Sequence, residues 1–301
     1  MKSRFLLLLS ACAAVGTLGA SEKVRFTAPA EDSLKGWERE SFPIGNGWFG
    51  VNVFGIPTNE RLQVSDNAVV TSTVRDGRPN TTDAFEIRLR SAAVAANAYS
   101  RELDLGTGVV TVRYSADGVD YVRECFASYP DKVLAVRWTA SKKGALAFEL
   151  VGEAPFLHPF GDKGMKGPVG RTAEAGGDGA TIDVLQRLER FGLLWDAQMR
   201  VLTDGRCVRT TEGTLEVSGA TEATVICAFG SNYVLSPRVF AAPDAKKLDP
   251  IDPRPDVRRR LDAAIAKGFA ALRRDHVKDF SGLMGRVALD IPDKGEQRFF
   301  Q

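Results

Sequence analysis

Three carboxylates, Asp66, Glu124 and Asp131, are the candidates for acid–base chemistry in the sequence. Hydrolysis by a carboxyl pair needs one protonated group and one that positions water, held roughly 6.5–9.5 Å apart. No pair among the three is specified by spacing, because Glu124 falls on a strand face and Asp131 follows Pro130 in a turn. The sequence therefore predicts structural roles for them and assigns no catalytic residue.

A glycine-rich turn holds better candidates for ligand contact. Gly45-Asn46-Gly47 lacks the Lys-Ser/Thr pair and the strand-to-helix setting of a phosphate loop, so a turn between strands is expected. Asn46 and Trp48 could lie beside a sugar, since an aromatic face can stack on a sugar ring. For Trp48 the sequence favours the alternative, an aromatic anchor of the core. Core positions are also expected of the other tryptophans: Trp37, Trp138 and Trp195.

The histidines and cysteines give weaker signals. His158, in a loop bracketed by prolines, is a further candidate for sugar contact, although such a histidine more often faces solvent or the backbone. His276 is expected to pack or cap in a helix. Cys125, Cys207 and Cys227 are expected to be small buried residues, and pairing of the last two is left open. No Cys/His cluster and no Gly-x-Ser-x-Gly motif is present, so neither a metal, a cofactor nor serine hydrolase chemistry is predicted.

The N-terminus has the layout of a secretory signal peptide. Lys2 and Arg4 precede an apolar, small-residue stretch that ends near Ala20 and is too short to span a bilayer stably. We expect residues 1–20 to be removed and the protein to be exported, either periplasmic or secreted. The alternative is a lipoprotein signal with lipidation at Cys12. No membrane span is predicted in the mature chain.

Composition and patterning predict a mainly β fold. The 301 residues carry 40 basic and 38 acidic side chains, a balance that argues against a nucleic-acid binder. Between Val24 and Val234, alternating runs are separated by turn residues such as Asp117-Gly118, which predicts a large antiparallel β-sandwich, or supersandwich, over residues 21–240. Residues 83–98 are expected to form a short helix or a strand insertion, and 169–183 a loop.

Residues 241–301 are expected to form a separate region: a proline-rich linker, an amphipathic helix and a short terminal strand at 286–291. The helix is predicted over 256–284 with Asp256 as its N-cap. Arg258-Arg259-Arg260 is interpreted as a solvated face. The apolar stripe of this helix must pack somewhere, either back on the sandwich or against another domain.

Several blocks of sequence, in order over residues 33–290, resemble the N-terminal domain of family 95 glycoside hydrolases, which include α-L-fucosidases and α-L-galactosidases. The blocks are Trp37 with 42–51 and 54–55, 60–64, 99–105, 112–114, 121–133, 198–202 and 276–280. The resemblance implies a β-sandwich, a helical linker and then an (α/α)6 barrel that holds the catalytic groups. Two departures from the family pattern, Ser65-Asp66-Asn67 and Ser231-Asn232-Tyr233, remove polar groups and put a substrate-binding role in doubt.

The resemblance leads to two hypotheses. In the first, the chain is the N-terminal module of an exported fucosidase-type glycosidase and is inactive alone because the barrel is missing; an exposed apolar stripe on the 256–284 helix is then expected. In the second, it is a standalone exported sandwich that binds carbohydrate without cutting it, and the helix folds back. Whether the barrel was truncated, is encoded separately or was lost by decay stays open.

Overall fold

The computed structural model describes residues 22–75, 78–92, 96–153, 171–176, 180–188, 193–233, 237, 242–243, 246 and 248–286. Within them the chain is mainly β, as predicted, and forms two antiparallel sheets. The predicted signal peptide, His158 and residues 287–291 of the predicted terminal strand lie outside this part of the chain. No helix among the described residues is long and apolar enough to cross a membrane.

Sheet A has nine strands in the described part of the chain. Their spatial order is β1 (Lys23–Phe26), β6 (Asn97–Asp104), β7 (Val109–Ala116), β8 (Val119–Ser128), β9 (Val133–Ala140), β16 (Glu222–Ser231), β13 (Leu193–Thr203), β12 (Thr181–Leu188) and β11 (Arg171–Gly176).

Sheet B has seven strands among the described residues and faces sheet A across the main core. Their order is β14 (Arg206–Arg209), β15 (Leu215–Ala220), β10 (Leu146–Glu153), β5 (Arg78–Arg90), β4 (Asn59–Arg75), β3 (Phe49–Val53) and β2 (Phe42–Gly45). A short helix, α1 (Leu34–Arg39), precedes β2.

Turn chemistry explains the hairpins. Asp117 and Gly118 take φ angles of 52° and 74° between β7 and β8, the left-handed pair that a tight hairpin requires, so that prediction is confirmed. Of the two alternatives for residues 83–98, the helix is wrong and the strand is confirmed, because β5 continues to Arg90 and β6 begins at Asn97. The predicted loop at 169–183 is also wrong, because β11 pairs with β12 from Arg171 to Gly176. This strand lies at the edge of sheet A, where it needs only one partner.

The tryptophans partly follow expectation. Trp138 and Trp195 are buried between the sheets, as predicted, and Trp195 stacks on Phe229 with ring centroids 5.5 Å apart. Trp37 is only half-buried, so its expected core position is wrong, and its indole N–H donates to Gln63 Oε1 at 2.7 Å.

The predicted single helix is two helices, α2 (Arg254–Lys267) and α3 (Phe269–Met284). Gly268, with φ 77°, separates them because a left-handed residue ends the α2 hydrogen-bond pattern. Asp256 is not the N-cap. Pro253 holds that position, and Asp252 accepts a hydrogen bond from the Arg254 N–H at 3.0 Å.

Both helices fold back on the outer face of sheet A. Strand residues there alternate with those of the main core, so the central strands bury both faces. This second cluster comprises Val109, Phe126, Val133, Ala135, Ile226 and Ala228 from the sheet, and Val257, Leu261, Ala264, Phe269 and Leu272 from the helices. The expected exposed stripe is therefore wrong, and the alternative, that the helix folds back, is confirmed.

A buried ion pair fixes the turn after β3. Arg123 and Glu60 are 2% and 0% exposed, and their side chains lie 3.3 Å apart. Glu60 Oε1 accepts the N–H groups of Phe54 and Gly55 at 3.2 and 2.8 Å, and Arg123 donates to the carbonyl of Ile56 at 2.9 Å. The pair thereby satisfies backbone groups that would otherwise be buried without partners.

We predict that Arg123→Ala lowers the free energy of unfolding by about 3–5 kcal/mol, because it leaves the Glu60 carboxylate buried without its cation. Urea denaturation measures this. The control is Arg25→Ala, whose side chain is 68% exposed beside Glu102 and should cost about 1 kcal/mol or less. Equal losses in the two variants would contradict the assigned role of Arg123.

A second buried carboxyl lies where β13 meets the start of α2. Gln198 Nε2 donates to Asp196 Oδ2 at 2.8 Å and to the carbonyl of Arg254 at 3.2 Å, which ties the helix to the sheet. Burial raises the pKa of Asp196 to about 6; the carboxylate of Asp183 adds to this rise, and the hydrogen bond from Gln198 opposes it. Asp196 is therefore harder to ionise in the folded chain than in the unfolded one.

This pKa predicts a pH-dependent stability. Between its ordinary value of 3.8 and about 6, the folded state holds a proton that the unfolded state has lost, so stability falls as pH rises through this window and levels off above it. The whole loss corresponds to about 3 kcal/mol. Asp196→Asn should remove this component in denaturation measured from pH 4 to pH 8. Asp262→Asn, on the exposed side of α2, should keep the wild-type profile. An unchanged profile in Asp196→Asn would contradict the assignment.

Candidate functional site

A cleft of about 200 Å³ opens at one end of the sandwich, where the turn between β2 and β3 meets the middle of β4, the end of β16 and the first turns of α2. Its walls come from both sheets and from the helical layer. The lining residues are Gly47, Trp48, Phe49, Asp66, Asn67, Ala68, Lys132, Phe229, Gly230, Ser231, Tyr233, Asp256 and Arg260.

Trp48 stands at the mouth of this cleft. Its side chain is 49% exposed, so the expected core position is wrong. The reason is local: Trp48 lies in the turn after β2, outside the alternation that buries Phe49. The Lys132 ammonium lies 4.1 Å from the centroid of the indole ring, a cation–π contact, and Lys132 adopts the left-handed region with φ 55°.

Asn46 positions this turn instead of facing the cleft. It is buried, and its Oδ1 accepts the N–H groups of Trp48 and Phe49 at 3.0 and 3.1 Å. Its Nδ2 donates to the carbonyl of Ser128 at 3.0 Å, which ties the turn to the end of β8. The amide is thus used within the protein, and Asn46 acts on any ligand through the placement of Trp48. The prediction of a turn between strands at Gly45-Asn46-Gly47 is confirmed.

Asp66 forms the floor of the cleft. It lies opposite Phe49 in the β3–β4 pair, its Oδ2 accepts the indole N–H of Trp195 at 3.0 Å, and its Oδ1 accepts the N–H of Ala68 at 2.8 Å. Burial raises the pKa of Asp66, and these hydrogen bonds and the charge of Arg260 oppose the rise. The bond to Trp195 joins sheet B to sheet A beneath the cleft.

Arg260 enters from the helical layer. Its side chain is 17% exposed, and its Nε pairs with Asp256 Oδ2 at 2.9 Å. A Cβ at Gly230 would lie 2.7 Å from both Arg260 Nη2 and Val257 Cγ2, so any larger residue there would displace these two side chains. The interpretation of 258–260 as a solvated face is correct for Arg259, whose side chain is 73% exposed, whereas those of Arg258 and Arg260 are only 37% and 17% exposed. Arg258 pairs with Asp183 at 3.0 Å.

The structure brings together the two segments that depart from the family pattern. Asp66 and Asn67 come from one, Ser231 and Tyr233 from the other, and all four line the cleft. Asn232 instead turns inward, where its Oδ1 accepts the N–H of Leu194 at 2.9 Å. Sequence reasoning missed the contributions of Lys132, Tyr233 and Arg260 because each lies far along the chain from Trp48.

The other candidate residues have structural roles. The Glu124 carboxylate forms an ion pair with Arg273 of α3 at 3.1 Å, and the Asp131 carboxylate forms one with Lys267 of α2 at 2.6 Å. Both carboxylates therefore hold the helical layer on the sheet. His276 is buried and stacks on Phe126 with ring centroids 4.8 Å apart, which confirms that it packs. Burial lowers the pKa of His276. His158 stays a prediction. Among the described residues, no group of three or more His, Cys, Asp or Glu side chains could hold a metal.

None of the cysteines in the described region forms a disulfide. Cys125 and Cys227 are buried, as predicted, whereas Cys207 is half-buried. Cys207 lies on sheet B and Cys227 on sheet A, and the two are not joined by a disulfide in this structure.

The fold and the cleft define a two-sheet antiparallel sandwich with a helical layer on one face. The sequence profile of the glycosyl hydrolase family 65 N-terminal domain matches residues 84–236, half of the chain, and the chain belongs to this family of domains. A solved structure described as a kojibiose phosphorylase from the human microbiome shares the fold, with a TM-score of 0.57 over 86% of this chain and 37% of that one at 12% sequence identity.

Two curated relatives cover nearly the whole chain. A protein described as alpha-fucosidase A of Aspergillus oryzae is 25% identical, with 97% of this chain and 44% of the relative aligned. Alpha-L-fucosidase 2 of Arabidopsis thaliana is 24% identical over 89% of this chain and 36% of its own. The chain thus spans less than half the length of these relatives. The expected likeness to fucosidases and to a glycoside hydrolase N-terminal domain is confirmed.

The geometry of the turn predicts that Asn46→Ala lowers the free energy of unfolding by about 2 kcal/mol, because the carbonyl of Ser128 and two backbone N–H groups lose their partner. It should also shift the fluorescence of Trp48. Chemical denaturation followed by emission measures both effects. Asn67→Ala, at an exposed position in the same cleft, is the matched control and should change stability by less than about 0.5 kcal/mol. A loss no larger than in this control would contradict the role of Asn46.

Proposed function

We propose that the chain is the N-terminal β-sandwich module of an exported, family 95-like glycosidase of the α-L-fucosidase type, and that it does not catalyse hydrolysis alone. One observation carries the proposal: the alignment with the A. oryzae fucosidase takes in 97% of this chain but only 44% of the relative. In this proposal the catalytic groups belong to the part of such an enzyme that the chain does not span, an (α/α)6 barrel.

The chemistry of the sandwich supports the second half of the proposal. Glu124 and Asp131 are paired with Arg273 and Lys267 of the helical layer, and neither faces the cleft. Asp66 does line the cleft, where Asp256 is the other carboxylate and is ion-paired with Arg260. A hydrolytic pair requires a carboxylate that is available as the base and a protonated carboxyl as the acid. Because Asp256 is ion-paired, Asp66 and Asp256 do not provide such a pair.

The module has a physical role that follows from its shape. Two packed sheets and two docked helices give a rigid body, and rigid elements position a neighbouring site more precisely than loops do. The cleft end presents Trp48 and Tyr129, which are 49% and 53% exposed, as an aromatic surface. We propose that this end faces the catalytic part, so that the module braces the barrel and contributes to the rim of its substrate site.

Export is proposed from the sequence of residues 1–20, with two basic residues before an apolar stretch. Lipidation at Cys12 is the alternative to cleavage after Ala20.

A standalone carbohydrate-binding sandwich is the second candidate. The observation that favours it is the buried apolar face of α2 and α3. These helices pack on sheet A, so this face is not available to bind another domain. The two candidates differ in whether a longer gene product hydrolyses a fucoside.

Hydrolysis of p-nitrophenyl α-L-fucoside tests the proposal. The assay compares the chain with a protein extended through any downstream reading frame. We expect nitrophenol only from the extended protein, because the cleft in the described part of the chain holds no acid–base pair. Release by the chain alone would contradict the proposal and require a catalytic pair inside the sandwich. Inactivity of both proteins would favour the second candidate.

A further inference from the structure

The cleft beneath Trp48 has the dimensions of a site for one small ring. Its volume of about 200 Å³ lies below the range of roughly 300–1,000 Å³ that holds drug-sized ligands. Its base is held from three directions, by the Asp66–Trp195 hydrogen bond, by Asn46 in the β2–β3 turn and by the approach of α2 to Gly230. The surrounding contacts therefore fix the shape of the cleft in the absence of a ligand.

The polar groups of the cleft suit a ligand rich in hydroxyl groups. Each oxygen of Asp66 accepts one hydrogen bond from the protein, and a carboxylate oxygen can accept a second. Arg260 uses its Nε for Asp256, while its guanidinium carries four further N–H donors on the two Nη atoms. An acceptor on the floor of the cleft and a donor on the wall formed by α2 match adjacent hydroxyls, which both donate and accept.

Charge balance argues for a neutral ligand. Two cationic side chains, Lys132 and Arg260, and two acidic ones, Asp66 and Asp256, line the cleft. Arg260 is already paired with Asp256, and Lys132 lies over the Trp48 ring. A site for phosphate or another anion would carry an excess of unpaired cations.

We propose that this cleft binds a single neutral sugar ring, with Trp48 as the stacking face and Asp66 and Arg260 as the hydrogen-bonding pair. Trp48 supplies the apolar contact, since about half of its surface is open at the mouth. The proposal rests on the proposed function only in its choice of L-fucose as the first probe.

Titration calorimetry of the full chain with L-fucose tests the site, with L-galactose and D-glucose as further neutral probes and inorganic phosphate as the anionic one. We expect saturable binding of at least one neutral sugar and none of phosphate. Trp48→Ala should weaken that binding at least tenfold, because the stacking face is lost, and Asp66→Asn about tenfold. Trp48 lies in an exposed turn, so its variant tests the site even if Asp66→Asn does not fold.

Tyr129→Ala is the matched control, because Tyr129 is exposed at the same end of the sandwich but is not a lining residue of the cleft. It should bind the sugar as the wild-type chain does. The proposal is overturned by the absence of saturable binding to every neutral sugar, by binding that survives Trp48→Ala, or by binding of phosphate alone.

The two proposals fail separately. Fucoside hydrolysis by the extended protein without sugar binding in the cleft would overturn the site and leave the proposed function intact. Sugar binding that depends on Trp48, without hydrolysis by any extended protein, would overturn the proposed function and leave the site intact.

Discussion

The central strands of sheet A are apolar on both faces, and the rest of the structure follows from the need to cover each of them. In β9, Val133, Leu134, Ala135 and Val136 are all buried, although successive residues point to opposite sides of the sheet. Sheet B covers one side. The other would expose a continuous apolar surface that water disfavours, and α2 and α3 supply the missing layer. The C-terminal helices are therefore part of the sandwich fold.

Docking of α2 also builds the site. The helix reaches β16 at Gly230, where the missing side chain lets Val257 and Arg260 approach the strand. Arg260 and Asp256 then form one wall of a cleft whose other walls come from β4 and from the β2–β3 turn. The ion pairs of Lys267 and Arg273 with sheet A fix the helices in register. The packing of α2 on sheet A therefore both stabilises the helical layer and sets the geometry of the cleft.

Local signals in the sequence predicted the architecture well. Alternating apolar residues and turn pairs such as Asp117-Gly118 indicate a sandwich. They can be recognised in the sequence because each depends only on a few neighbouring residues. Within the loop expected at 169–183, residues 171–176 form an edge strand, since glycine content lowers strand preference but pairing with β12 overrides it. The helix break at Gly268 was missed because the apolar positions on both sides continue with similar spacing, although a glycine inside a helical pattern was the available signal.

The cleft was less predictable, for a physical reason. Trp48, Asp66 and Arg260 are brought together by the packing of two sheets and a helix, and no periodicity in the sequence records such long-range contacts. Trp48 was expected in the core because tryptophans usually bury their surface, yet its place in a turn exposes it. What the sequence did offer was indirect: the two segments that depart from the family pattern, at 65–67 and 231–233, both border the cleft.

Hydrogen exchange of the native chain, resolved to single amides, tests most directly whether the helical layer belongs to the sandwich and completes the cleft. The account predicts that amides in the middle of α2 exchange within about tenfold of those in β9 and β16, because helix and sheet open together. Exchange of α2 at the rate of an undocked helix, while β9 and β16 stay protected, would contradict it. The helix would then be a separate element, and Arg260 would not hold its place in the cleft.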